Sequence, residues 1–175
     1  MSTACASSPR GRVWFSPRPA DWLGALEHAI RVAAEPPILV AHSLGCLAVA
    51  HWAARAGAGV RGALLVAPPD LDRVDAAPVL AGFAPVPRSP LPFPSLVVAS
   101  DDDRYAALPY AARLAREWGA ELSVLRGAGH INVDAGFGPW PDGRALLRYF
   151  AEPERLLSRY EHEADDAPWI RRGLD

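Results

Sequence analysis

Short, almost unbroken apolar runs punctuate the chain at Ile38–Ala41, Ala63–Ala67, Leu96–Ala99 and Leu122–Leu125. Runs of this length, bounded by Pro, Gly and Asp, predict strands buried on both faces. Between them the spacing becomes helical. Trp22, Leu23, Leu26 and Ile30 share one face of a helix over about 20–34, with Asp21 as candidate N-cap and Pro36-Pro37 as the stop. A helix of small residues follows the first run through Ala56, ended by Gly57 and Gly59. Tyr110, Leu114 and Trp118 mark another at about 108–118, and Asp142 opens a last one through about Phe150. Strands alternating with helices predict a mostly parallel central sheet covered on both faces, a three-layer α/β sandwich.

The connections differ in character. Residues 68–94 are rich in proline and lack periodicity, which predicts a surface excursion near the site rather than core. Gly127–Pro141 reads as a long glycine-rich loop. Residues 1–12 are rich in Ser, Ala and Pro and are expected to be poorly ordered, and Val13–Phe15 is a candidate strand fragment. The single domain is placed at residues 13–150. Residues 151–175, with an acidic cluster at Glu161–Asp166, read as a charged tail or loosely docked helix.

Composition narrows the function classes. The chain has 175 residues, 50% hydrophobic and 22% charged, which is enough apolar material for one packed core. A net charge of −2 argues against nucleic acid as a partner. No segment reaches the roughly 18 apolar residues of a membrane span, and Arg10 and Arg12 precede no hydrophobic run, so a cytoplasmic location without membrane association is expected. Cys5 and Cys46 have neither metal-ligand spacing nor the density of a disulfide scaffold, and Cys46 reads as a small buried thiol.

The chemistry begins at Ile38-Leu39-Val40-Ala41-His42-Ser43-Leu44-Gly45-Cys46. A buried strand running through a serine into a helix is the layout of a nucleophile elbow, which exposes a serine hydroxyl at the top of an α/β-hydrolase sheet. Small residues at Ala41 and Gly45 let the turn close, and the Leu44 N–H becomes a candidate oxyanion donor. A serine nucleophile needs a base, and the base a carboxylate to fix its tautomer. Asp101, Asp102 and Asp103 follow the Leu96 run and His130 follows the Leu122 run, each at the carboxyl end of a strand. One of the aspartates orients His130; the others fit turn or cap hydrogen bonds. His28, His51 and His162 read as surface or packing residues, and His42 as a structural part of the elbow.

Three strings resemble the retinoblastoma-binding protein 9 and YdeN-like family of small serine hydrolases: Val40–Cys46, Ser100-Asp101-Asp102-Asp103-Arg104-Tyr105, and Ala128-Gly129-His130-Ile131-Asn132. Gly136-Phe137-Gly138-Pro139-Trp140-Pro141 is similar to a segment of its bacterial members, and the resemblance covers roughly residues 20–150. It implies an α/β-hydrolase fold with little or no cap and a Ser-Asp-His triad. Matching Ser100 and Tyr105 to the family's Ser-x-Asp-Asp-Pro-aromatic motif puts the acid at Asp103, with Arg104 in place of proline and Asp102 as the alternative.

Residues 1–15 do not match the strand and glycine-containing loop with which that family opens, so the first strand and the second oxyanion donor are expected to be missing. An unpaired edge at Ile38–Ala41 would follow, and such edges invite a homodimer. The resulting expectation is a serine hydrolase of small ester, amide or thioester substrates, with Ser43 as nucleophile, His130 as general base and acid, Asp103 as orienting carboxylate, and no metal or organic cofactor. Phe137 and Trp140 are candidates for an apolar substrate pocket, though Trp140 could equally pack beneath the last helix. The alternative is a catalytically impaired, hydrolase-like binding module.

Overall fold

The computed structural model describes residues 18–55, 57, 59–73 and 78–151. The expectations for residues 1–12, Val13–Phe15 and the tail beyond Ala151, with Cys5 and His162, lie outside the described residues. The elements run α1 (Pro19–Arg31), β1 (Ile38–His42), α2 (Leu44–Ala53), β2 (Gly62–Val66), β3 (Ser95–Ser100), α3 (Leu108–Glu117), β4 (Glu121–Leu125) and α4 (Pro141–Ala151). Short 3-10 turns occupy Pro78–Phe83 and Val133–Ala135.

All strand pairs are parallel, in the order β1-β2-β3-β4. The apolar runs explain this: every residue of β2 and β3 is buried, so both faces must be covered. The register sets His42 beside Val66, Val66 beside Val98, and Ser100 beside Leu125, which gathers the carboxyl ends of the strands at one rim. Alternate residues feed two cores. Leu39, Ala63, Leu65 and Val97 meet α1, α2 and α3 on one face, whereas Leu64, Val66, Leu96 and Val98 meet Leu146 of α4 on the other. This is the three-layer α/β-hydrolase architecture. Among the described residues β1 pairs with β2 alone, and its Val40 is 51% exposed.

The helices follow the apolar stripes, with local corrections at their ends. In α1, Leu23 is buried and Trp22, Leu26 and Ile30 pack against the same cluster. Its N-cap position is Arg18 rather than Asp21; Pro19 sits in the first turn, where its missing N–H is no loss. Asp21 lies within the first turn, where a carboxylate suits the positive end of the helix. Trp52 donates its indole N–H to the Glu27 carboxylate and ties α2 to α1. Helix α2 ends at Ala53 rather than Ala56. It is buried from Cys46 to Ala50, as expected of a helix apolar on every side.

The proline-rich excursion departs most from its sequence pattern. Phe83, Val86 and Phe93 are core residues, at 0%, 5% and 8% exposure, not surface. The Trp118 indole donates to the Pro87 carbonyl at 2.8 Å, and the Leu91 N–H donates to the Trp118 carbonyl at 2.9 Å. Arg88 bridges Asp72 and Glu117 at 2.6 and 2.7 Å. Prolines broke the periodicity without breaking the burial of these three side chains, which anchor a stretch whose Ala81, Ala84, Pro85 and Pro90 remain exposed.

Candidate active site

Ser43 stands between β1 and α2 with φ 54° and ψ −125°. A non-glycine residue at positive φ costs on the order of 1–3 kcal/mol, so the neighbours must enforce it. They do so from β2: the Ser43 N–H donates to the Val66 carbonyl at 2.8 Å, and the buried Cys46 thiol donates to the same oxygen at 3.3 Å. Burial pushes the Cys46 thiol far above its ordinary pKa, which keeps it a structural donor rather than a nucleophile. Gly45 contributes less than its pattern suggests. A Cβ there would lie 3.6 Å from the Ala41 Cβ, an ordinary contact, so the pair needs small residues but no special backbone.

The first turn of α2 begins at Leu44, whose N–H has no backbone acceptor among the described residues. An orphan amide at a helix start carries partial positive charge and suits an anion.

His130 reaches Ser43 from the loop after β4. Its Nε2 lies 2.9 Å from the Ser43 Oγ, and its Nδ1 lies 2.9 Å from the Asp103 Oδ2. An ionised carboxylate only accepts, so Nδ1 carries the proton and Nε2 presents its lone pair to the serine hydroxyl. The Asp103 side chain is 3% exposed, and its second oxygen accepts the Tyr105 N–H at 2.8 Å. Tyr105, 48% exposed, sets its ring 4.5 Å from that of His130. The structure thus brings Ser43, Asp103 and His130 into one hydrogen-bonded line.

The three aspartates divide their work residue by residue. Asp101 accepts the Gly127 N–H at 2.8 Å, Ser100 the Ala128 N–H at 3.0 Å, and Asp102 the Gly129 N–H at 2.7 Å. The Ser100 hydroxyl also donates to Asp102 at 2.6 Å. Those two bonds, the hydroxyl first, hold the Asp102 carboxyl below its ordinary pKa. Three consecutive side chains from the last residue of β3 onward therefore grip three consecutive amides of the histidine loop, and only Asp103 meets the imidazole. Gly129 is needed here: its φ is +52°, and a Cβ would sit 3.1 Å from that of Ala135.

Phe137 and Trp140 pair edge-to-face at 5.8 Å and pack against the α4-side core. No hydrogen bond or ring contact among the described residues joins them to Ser43, Asp103 or His130. The sequence did not foresee how His42 acts: its Nε2 donates to the His130 carbonyl at 2.8 Å. Its adjacency to Ser43 was the only signal. No group of three His, Cys, Asp or Glu is arranged to hold a metal ion among the described residues, and no helix there is long and apolar enough to cross a membrane.

Comparison with known proteins identifies the family and the fold. Residues 5–149 match the family model described as serine hydrolase. A crystal structure described as a YdeN-like hydrolase from Pectobacterium atrosepticum is 35% identical, with TM-score 0.72, over 82% of this chain and 75% of that one. The ydeN gene product of Bacillus subtilis is 26% identical, with TM-score 0.63, over 78% and 77%. A monoacylglycerol lipase from Paleococcus ferrophilus shares the fold at 15% identity, with TM-score 0.60, over 77% and 76%. A search of curated proteins returns no match.

Proposed function

Because the chain belongs to the serine hydrolase family, we propose that it cleaves small ester substrates, and related amides or thioesters, through an acyl-enzyme on Ser43. The observation that carries this reading is the line Ser43 Oγ, His130 Nε2, His130 Nδ1 and Asp103 Oδ2, with both hydrogen bonds at 2.9 Å.

In the first half-reaction the Ser43 oxygen attacks the carbonyl carbon as its proton passes to His130 Nε2. The carbonyl π pair moves onto oxygen, and the Leu44 N–H donates to that oxyanion. One such donor is worth on the order of 10²–10³ in rate. The imidazolium is stabilised by Asp103, which stays ionised. The tetrahedral adduct then expels the alcohol, which takes the proton from Nε2 and leaves an ester on Ser43. Water repeats the cycle: His130 takes its proton, hydroxide adds to the acyl carbon, and Ser43 departs with the proton returned.

The half-exposed Tyr105 beside His130 supports a site open to small acyl groups. Hydrolysis of p-nitrophenyl acetate tests the reading: a burst followed by slower turnover, with an acetyl group mapped to Ser43 by mass spectrometry. Undiminished turnover in Ser43→Ala would refute it.

A further inference from the structure

This inference rests on the reading of Ser43 as nucleophile and His130 as base, and concerns what holds that base in place. His42 precedes Ser43 at the end of β1. Its Nε2–H donates to the His130 carbonyl at 2.8 Å, and its ring meets the His130 ring edge-on at 4.9 Å. The peptide between His130 and Ile131 is therefore bonded at both ends, because the Ile131 N–H donates to the Ala128 carbonyl at 3.0 Å.

That peptide borders the strained point of the loop. Ile131 has φ +49°, a conformation that a β-branched residue disfavours and keeps only where its surroundings over-determine it. Its side chain is 5% exposed in the α4-side core, so it cannot relax by swinging outward. The available relaxation is rotation of the 130–131 peptide, which would swing the His130 carbonyl away and turn the imidazole with it. Ser100, Asp101 and Asp102 secure the amides before this point. The grip on the His130 carbonyl comes from the nucleophile's own strand.

We propose that His42 is a positioning residue: by holding the His130 carbonyl from the residue next to Ser43, it fixes the approach of His130 Nε2 to the serine hydroxyl. His42 is exposed overall, but desolvation of its ring, opposed by the bond to that carbonyl, holds the imidazole below its ordinary pKa. A neutral ring then stands beside His130 when His130 takes up its proton. The role needs an N–H at the Nε2 position, which glutamine can present and phenylalanine cannot.

His42→Gln and His42→Phe, with Ser43→Ala alongside, test the proposal by kcat and KM on p-nitrophenyl acetate and by the downfield proton resonance of His130 Nδ1–H. His42→Phe should lose about tenfold in kcat with KM nearly unchanged, since one hydrogen bond that orients the base is removed. Its Nδ1–H resonance should broaden, whereas His42→Gln should recover both readouts. A folded His42→Phe with the kcat and resonance of His42→Gln would overturn the proposal while an inactive Ser43→Ala left the triad standing. A fully active Ser43→Ala would overturn both.

Discussion

Replacing Asp103 by asparagine separates the residue that orients the imidazole from those that only hold its loop. Asp103 is bonded on both oxygens, one to His130 Nδ1 at 2.9 Å and the other to the Tyr105 N–H at 2.8 Å. Asparagine offers one acceptor. If its oxygen stays on the Tyr105 N–H, its amide N–H₂ faces Nδ1, and the imidazole must move its proton to Nε2. That nitrogen can then no longer take the serine proton. If the amide flips, a buried N–H opposes another N–H. In serine hydrolases of this design the wrong tautomer costs on the order of 10⁴ in kcat, or about 5 kcal/mol of transition-state stabilisation. Asp102→Asn behaves differently, because a single oxygen, Oδ1, accepts both the Gly129 N–H and the Ser100 hydroxyl. An amide oxygen can accept both, so kcat should fall about tenfold or less. Saturating p-nitrophenyl acetate, with circular dichroism to confirm folding, reads the difference directly. A folded Asp103→Asn within tenfold of the wild type, beside an Asp102→Asn reduced a thousandfold, would refute the assignment and move the acid to Asp102.

Two further predictions concern stability. Gly143→Ala would normally favour a helix by about 1 kcal/mol, but a Cβ at Gly143 would overlap the Trp140 ring, which packs on the α4-side core. Overpacking of this kind costs about 1–3 kcal/mol, so Tm should fall by about 2–12 °C, and a rise in Tm would contradict that packing. The second follows from the lowered pKa of Asp102, caused first by the Ser100 hydroxyl and then by the Gly129 amide. Between its lowered folded pKa and its ordinary value near 3.8 the folded protein binds fewer protons than the unfolded chain. The stabilisation is therefore complete above that ordinary value and is lost as pH falls through the folded one. The Tm gap between wild type and Asp102→Asn should hold at neutral pH and close below about pH 3.8; a gap unchanged down to about pH 2 would refute it.

The parts of the molecule legible in the sequence are those governed by local pattern. Continuous apolar runs at 38–41, 63–67, 96–99 and 122–125 marked the four strands of a wholly parallel sheet, but only β2 and β3 are buried on both faces: β1 and β4 lie at the two ends of the strand order and expose Val40 and Val124. The order of serine, aspartate and histidine at strand ends sufficed to bring Ser43, Asp103 and His130 to one rim, because parallel strands share a carboxyl end. What stayed hidden depends on distant partners. His42 bonds a residue 88 positions away, and Asp102 one 27 positions away; neither distance leaves a trace in spacing. Phe83, Val86 and Phe93 were obscured because prolines impose turns that erase periodicity while leaving the side chains as apolar as before. Trp140 could be read either toward a pocket or beneath the last helix. Its ring lies against Gly143 of α4, a neighbour within the same short stretch that the spacing did not reveal.

The most direct test of the account is labelling of the folded protein with a fluorophosphonate, which phosphonylates a serine only when a base activates it and an oxyanion site receives it. The account predicts one adduct per chain, mapped to Ser43, absent from Ser43→Ala and reduced to background in His130→Ala. Folded protein that takes no label, or that labels equally well without Ser43, would contradict it.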